Sequence, residues 1–174
     1  EDVSLIGLGK LDGAEDVIFD AKDNLYCGDR LGNIVRFDAP DYKDGRVFAH
    51  IGGHPLGLAF DKAGLLYVCV GGMGLYRVHP DGRAEKATDQ TNRSAFSIID
   101  DSRMRLADDL DIAPDGRIFF SEATTRYDME TWPADALESR GSGRIVCYDP
   151  AKNTTRTVLR KLVFPNGVCV ECFE

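Results

Sequence analysis

Apolar and polar positions alternate along this chain in short runs, and one run comes back three times. GAEDVIFDAKDNLYCG from Gly13, HPLGLAFDKAGLLYVC from His54 and LADDLDIAPDGRIFFS from Leu106 share a layout of apolar stretch, polar turn and second apolar stretch. Phe19, Phe60 and Ile112 fall in one column, the turn residues Asp23, Gly64 and Gly116 in another, and Tyr26, Tyr67 and Phe119 in a third. A fourth copy begins with FPNGVCV at Phe164. Alternation with period two predicts strands, and the Asp, Gly, Asn and Pro between them predict tight turns.

The first unit then reads VIFD, NLYCGD, NIVRFD and a short fourth strand at Val47 to His50. The second reads GLAFD, LLYVCV and LYRVHPDG. The third reads LDIA, RIFFSEA, GRIVCYDP and TRTVLR. Residues 1–12 read as a leading strand with a Gly-rich turn. No segment keeps a helical period, although Ala134 to Arg140 suits one short turn of helix. The copies are offset by 41 and then 52 residues, and repeats of roughly 40–50 residues with about four strands each are characteristic of propeller blades. The expected fold is all-β, a partial propeller with units at 13–53, 54–105 and 106–163 and the start of another at 164–174. A ring typically closes with at least about four blades, and an open stack leaves sheet edges unpaired, so a longer chain is expected.

Composition excludes more than it specifies. The 174 residues are 43% hydrophobic and 29% charged, ordinary for a globular domain, and the net charge of -8 argues against nucleic acid as a partner. No apolar run is long enough to span a membrane. EDVSLIGLGK lacks the basic start and long apolar stretch of a signal peptide. Of the five cysteines, Cys27, Cys69 and Cys147 lie in predicted strands and read as small buried hydrophobes; this fits a reducing, cytoplasmic compartment better than an oxidising one, with a periplasmic or secreted location left open. Cys169 and Cys172 form a lone CxxC with no second pair to complete a zinc site.

The repeat alignment also places Glu15, Leu56, Asp108 and Asn166 at one equivalent position, and Asp16, Gly57, Asp109 and Gly167 at the next. Innermost strands line a propeller's axis, so equivalent residues of successive blades converge there. Two carboxylates and an amide without Cys or His suit a hard cation such as Ca²⁺, which would also relieve the repulsion between the acids. The competing reading is that acids ahead of a strand make turn hydrogen bonds. The glycines of the second column let backbones approach closely.

Other features carry less. Asp108 to Gly116 departs from a calcium loop at Ala113 and reads as strand and turn. His50, His54 and His79 are scattered without a GxSxG; His54, ahead of the second unit, reads first as a turn or surface residue and alternatively as one that reaches the channel mouth. NRS at Asn92 and NTT at Asn153 match the glycosylation sequon, a common chance match. Asp29 and Glu122, after the second strands of their units, read as solvated or loop-bonding. The insertion from Thr124 to Ser142, with the chain's single tryptophan, Trp132, reads first as a surface loop and alternatively as a lid over the channel mouth.

In order, GAEDVIFD, HPLGLAFD, DDLDIAPDGRIFFSEAT and FPNGV resemble the strictosidine synthase-like branch of six-bladed propellers, itself similar to the gluconolactonase, regucalcin and paraoxonase families. The resemblance runs from about Gly13 to Val170 and implies one divalent metal, usually calcium, at the channel. Its ligands would be Glu15, Asp108 (where the family usually has Asn) and Asn166 of the FxNG motif; the added charge at Asp108 would alter affinity. The family's later Asp, general base or nucleophile, and the catalytic Glu of true strictosidine synthases would lie beyond Glu174. The resemblance therefore implies a metal-dependent hydrolase of a small-molecule lactone or ester. A condensing enzyme of strictosidine synthase type and a non-catalytic binding scaffold are the alternatives.

Overall fold

The repeats become sheets because each turn column is built to reverse the chain. In the computed structural model, which describes residues 3–92 and 103–171, Asp23, Gly64 and Gly116 all take left-handed backbone (φ 61°, 80° and 85°). The amides of these three donate to Asp20, Asp61 and Ala113 carbonyls respectively. The Asp20 carboxylate accepts from the Lys22 and Asn24 amides, and that of Asp61 from Ala63 and Leu65. Ala113 has no such oxygen, and Asp115 takes over by accepting from the Arg117 amide.

Three four-stranded antiparallel sheets result, each formed from consecutive strands. The first holds β1 (Val17–Phe19), β2 (Leu25–Gly28), β3 (Asn33–Phe37) and β4 (Arg46–His50). The second holds β5 (His54–Phe60), β6 (Leu66–Gly71), β7 (Gly74–Val78) and β8 (Ala84–Thr88). The third holds β9 (Ala107–Ile112), β10 (Ile118–Glu122), β11 (Gly143–Asp149) and β12 (Thr154–Leu162). The architecture is that of consecutive propeller blades, with β1, β5 and β9 innermost and β5 touching both others.

Blades pack face to face, and β6 shows why its sequence is apolar throughout. Leu66, Val68 and Val70 join Tyr26, Ile34 and Leu58 in the core between blades one and two. Tyr67 and Cys69 point the other way, into the core with Leu110, Ile118, Phe120 and Val146 between blades two and three. A strand buried on both faces has no polar side to show.

Three expectations change. Residues 3–12 contain no strand; Gly7 and Gly9 take φ of 72°, and the Lys10 and Leu11 amides fold back onto the Gly7 carbonyl. Leu11 packs against the Phe37 core instead of pairing. The helical turn forms earlier than expected, as α1 (Trp132–Glu138), started by Pro133 and ended by left-handed Ser139 (φ 48°). Glu122 is neither solvated nor merely loop-bonding: at 0% exposure it accepts from the Arg105 amide and pairs with Arg144 at 2.5 Å. Asp29 does bond its loop, through the amides of Leu31 and Asn33. Cys27, Cys69 and Cys147 are buried free thiols, Cys169 is exposed, and Cys172 lies outside the described residues.

Candidate functional site

The two residue columns end on opposite duties. Glu15, Leu56, Asp108 and Asn166 line a single cavity of about 210 Å³, together with Leu106, Met129, Trp132 and Phe164. The oxygens come from three different repeats, carried to one place by the inner strands and by the segment after β12.

A device invisible in the sequence aims them. Pairing of β5 with β6 slips between Pro55 and Leu58, and pairing of β9 with β10 slips between Phe120 and Glu122. Both irregularities coincide with the two columns. A bulge bends its strand and re-aims the extra residue, and here Leu56 and Asp108 turn to the cavity. The amide of Asp109, freed by the slip, donates to Ser121 Oγ at 3.1 Å.

The second column braces the blades. Asp16 accepts from the Leu58 amide at 2.8 Å, across to blade two, and from its neighbour Val17. Asp109 accepts from the Val168 amide at 2.6 Å, and Asp111 from Val170 at 2.7 Å. Each Asp of that column thus grips the chain two residues past the next unit's cavity residue. Gly57 is needed for this closeness, because a Cβ there would meet the backbone of Asp108 and Asp109.

No donor among the described residues bonds to the side-chain oxygens of Glu15, Asp108 or Asn166. Asp108 is 4% exposed, whereas Glu15 and Asn166 stand at the open rim. Burial, then the carboxylates of Glu15 and Asp109, push the Asp108 carboxyl up to about 7. Burial, then Asp16 and Asp109, raise Glu15 as well. Among the described residues no three His, Cys, Asp or Glu side chains gather as a metal cluster; the set here is two carboxylates and one amide. Its unpartnered, mutually repelling oxygens fit a hard divalent cation.

Sequence reasoning missed Leu106 and Phe164, each two residues before a column member and therefore on the same side of an extended chain. His54 holds the equivalent place in blade two but does not line the cavity. His50 bonds Asn33 and His79 bonds Glu85. The insertion, expected first as a surface loop, supplies Met129 and Trp132 to the cavity wall.

A strictosidine synthase family model matches residues 108–171, and a strictosidine synthase-like N-terminal model matches residues 1–37. The chain is 31% identical over 168 residues to the strictosidine synthase-like 4 protein of Arabidopsis thaliana, covering 94% of this chain and 43% of that one. It is 27% identical over 173 residues to the adipocyte plasma membrane-associated protein of Rattus norvegicus, covering 91% and 44% respectively. It thus spans less than half the length of these relatives. In fold it is similar to a putative gluconolactonase (TM-score 0.65, 21% identity, 90% of this chain and 52% of the other). A gluconolactonase of Xanthomonas campestris gives a TM-score of 0.62 at 17% identity, over 86% of this chain and 48% of that one.

Proposed function

We propose, for a chain that belongs to the strictosidine synthase-like superfamily of β-propellers, that Glu15, Asp108 and Asn166 hold a divalent cation, calcium by donor chemistry. The protein that contains this chain is, on this reading, a metal-dependent hydrolase of a small lactone or ester. The observation that carries it is the convergence on one cavity of three oxygen groups from three repeats, none hydrogen-bonded among the described residues, while the adjacent Asp16 and Asp109 are bonded to backbone. The gluconolactonase neighbours support the hydrolytic direction by analogy of fold.

Bound there, calcium supplies Lewis-acid polarisation of a carbonyl and stabilises the charge that develops on its oxygen. Glu15 and Asp108 contribute the negative charge and Asn166 a neutral oxygen. Asp16 and Asp109 keep the donors in place by fixing the backbone beside them. The apolar lining of Leu56, Leu106 and Phe164 lowers the dielectric beside the buried Asp108 and strengthens its charge interactions.

One observation favours a second reading. The strictosidine synthase model covers Asp108 through Asn166, so a condensing enzyme using the same cavity without obligatory metal is the rival. Calorimetric titration of calcium into the longest natural chain carrying this sequence tests the first reading. Saturable binding that Asp108→Ala abolishes, with lactone or ester turnover lost on chelation, supports it. A folded protein that binds no calcium overturns it, and metal-independent turnover of an amine and an aldehyde moves the rival ahead.

A further inference from the structure

The oxygen groups occupy only part of the cavity; Leu56, Leu106, Met129, Trp132 and Phe164 form the rest. Two of these five come from the insertion between β10 and β11, and the way that insertion is tied down shows it to be a built element. Asp135 of α1 is 0% exposed. Its Oδ1 accepts from Thr124 Oγ1 at 2.9 Å and from Ser142 Oγ at 2.5 Å, the two feet of the insertion. The Thr125 amide and hydroxyl both donate to the Ser142 carbonyl, and Arg126 pairs with Glu138 across the loop.

From this clamped base the arm reaches the cavity at two points. The Trp132 ring lies 5.4 Å from that of Phe164, tilted by 41°. Met129 rests over Gly71 at the end of β6, with its sulfur where a Cβ on Gly71 would stand. Gly71 does not have left-handed backbone, so its lack of a side chain serves to seat Met129.

We infer that this arm is the specificity-determining wall of the cavity, with Met129 and Trp132 receiving the hydrocarbon portion of the ligand and Asp135 acting as a positioning residue that holds them there. The matching ligand is a neutral molecule with an alkyl or aryl portion on one side and a carbonyl oxygen on the other. A polyhydroxylated molecule of equal size would leave hydroxyls unpaired against five apolar side chains, and unpaired polar groups are what such sites reject. The orientation of the carbonyl rests on the metal reading above; the apolar wall does not.

Acetophenone and myo-inositol are suitable unreactive probes, titrated calorimetrically into the longest natural chain with and without calcium. Acetophenone is expected to bind saturably and inositol not at all. Gly71→Ala, which displaces Met129 without removing it, and Met129→Ala should each weaken acetophenone about tenfold, and Met129→Leu should bind as the parent does. Calcium affinity should stay the same in all three variants. Unchanged acetophenone affinity in both Gly71→Ala and Met129→Ala, no acetophenone binding, or inositol binding of equal strength would each overturn the assignment. If acetophenone follows the expected pattern in a protein that binds no calcium, the metal reading falls and the wall stands.

Discussion

Asp108 and Asp109 are neighbours of one residue type on one strand, yet their surroundings differ in every respect. Asp109 spends its carboxylate on the Val168 amide. Asp108 is more deeply buried and has no hydrogen bond among the described residues; burial first, then the Glu15 and Asp109 carboxylates, lift its carboxyl to about 7. Asp16 and Glu15 repeat the contrast two blades earlier, although Glu15 stands exposed. Burying an acid without a partner costs stability, so Asp108 carries a cost that Asp109 does not. The difference separates residues that hold the scaffold from residues available to a ligand.

The largest effect expected from breaking this contrast is on calcium. Asp108→Ala should lower calcium affinity by at least about 100-fold, equivalent to about 3 kcal/mol, with little loss of melting temperature. Asp109→Ala should do the reverse, destabilising the fold by about 1–3 kcal/mol through the orphaned Val168 amide and weakening calcium less. Equal effects of the two substitutions on calcium would erase the distinction. Gly57→Ala should cost a further about 1–3 kcal/mol in denaturant titrations, because its methyl group meets the Asp108 and Asp109 backbone.

A pH dependence sharpens the same contrast. Asp108 titrates at about 7 in the fold against an ordinary 3.8. Because the folded value is raised, its contribution is fully present below about pH 4 and is lost as pH climbs through about 7. In chelator, Asp108→Asn should therefore match the parent near pH 4 and exceed it increasingly as pH climbs to 8. A gap that does not widen between those pH values would contradict the burial described for Asp108. The smallest effect belongs to the turns: Asp20→Ala should cost about 1 kcal/mol in thermal melts, with calcium affinity unchanged.

Much of this was legible in the sequence because repetition exposes equivalence. The column of Asp23, Gly64 and Gly116 marked the turns, whose left-handed backbone the structure adds, and the column of Glu15, Leu56, Asp108 and Asn166 lines one cavity. The bulges that aim Leu56 and Asp108 were not legible, since a slipped register changes no residue type. The burial of Glu122 was hidden because its partner, Arg144, is 22 residues away across the insertion. The leading segment looked strand-like because Leu5, Ile6 and Leu8 are apolar, but apolar residues without a neighbour to pair with make no sheet. Met129 and Trp132 sat in a stretch with no repeat to compare.

The seams between blades also differ. Blades two and three are joined near the axis by the Gly72 amide to the Arg105 carbonyl. At the rim, Asn92 and Thr155 exchange two backbone-directed bonds, and Thr155 Oγ1 donates to Thr88 Oγ1. Between blades one and two, Asp16 to Leu58 is the corresponding tie at the axis. Cooperative opening under native conditions follows such seams. Amide deuteration should thus reach β2 and β3 in an earlier kinetic phase than β6, β10 and β11, which exchange together. The first blade, which carries Glu15, would then come away as its own foldon and take one of the three oxygen groups with it.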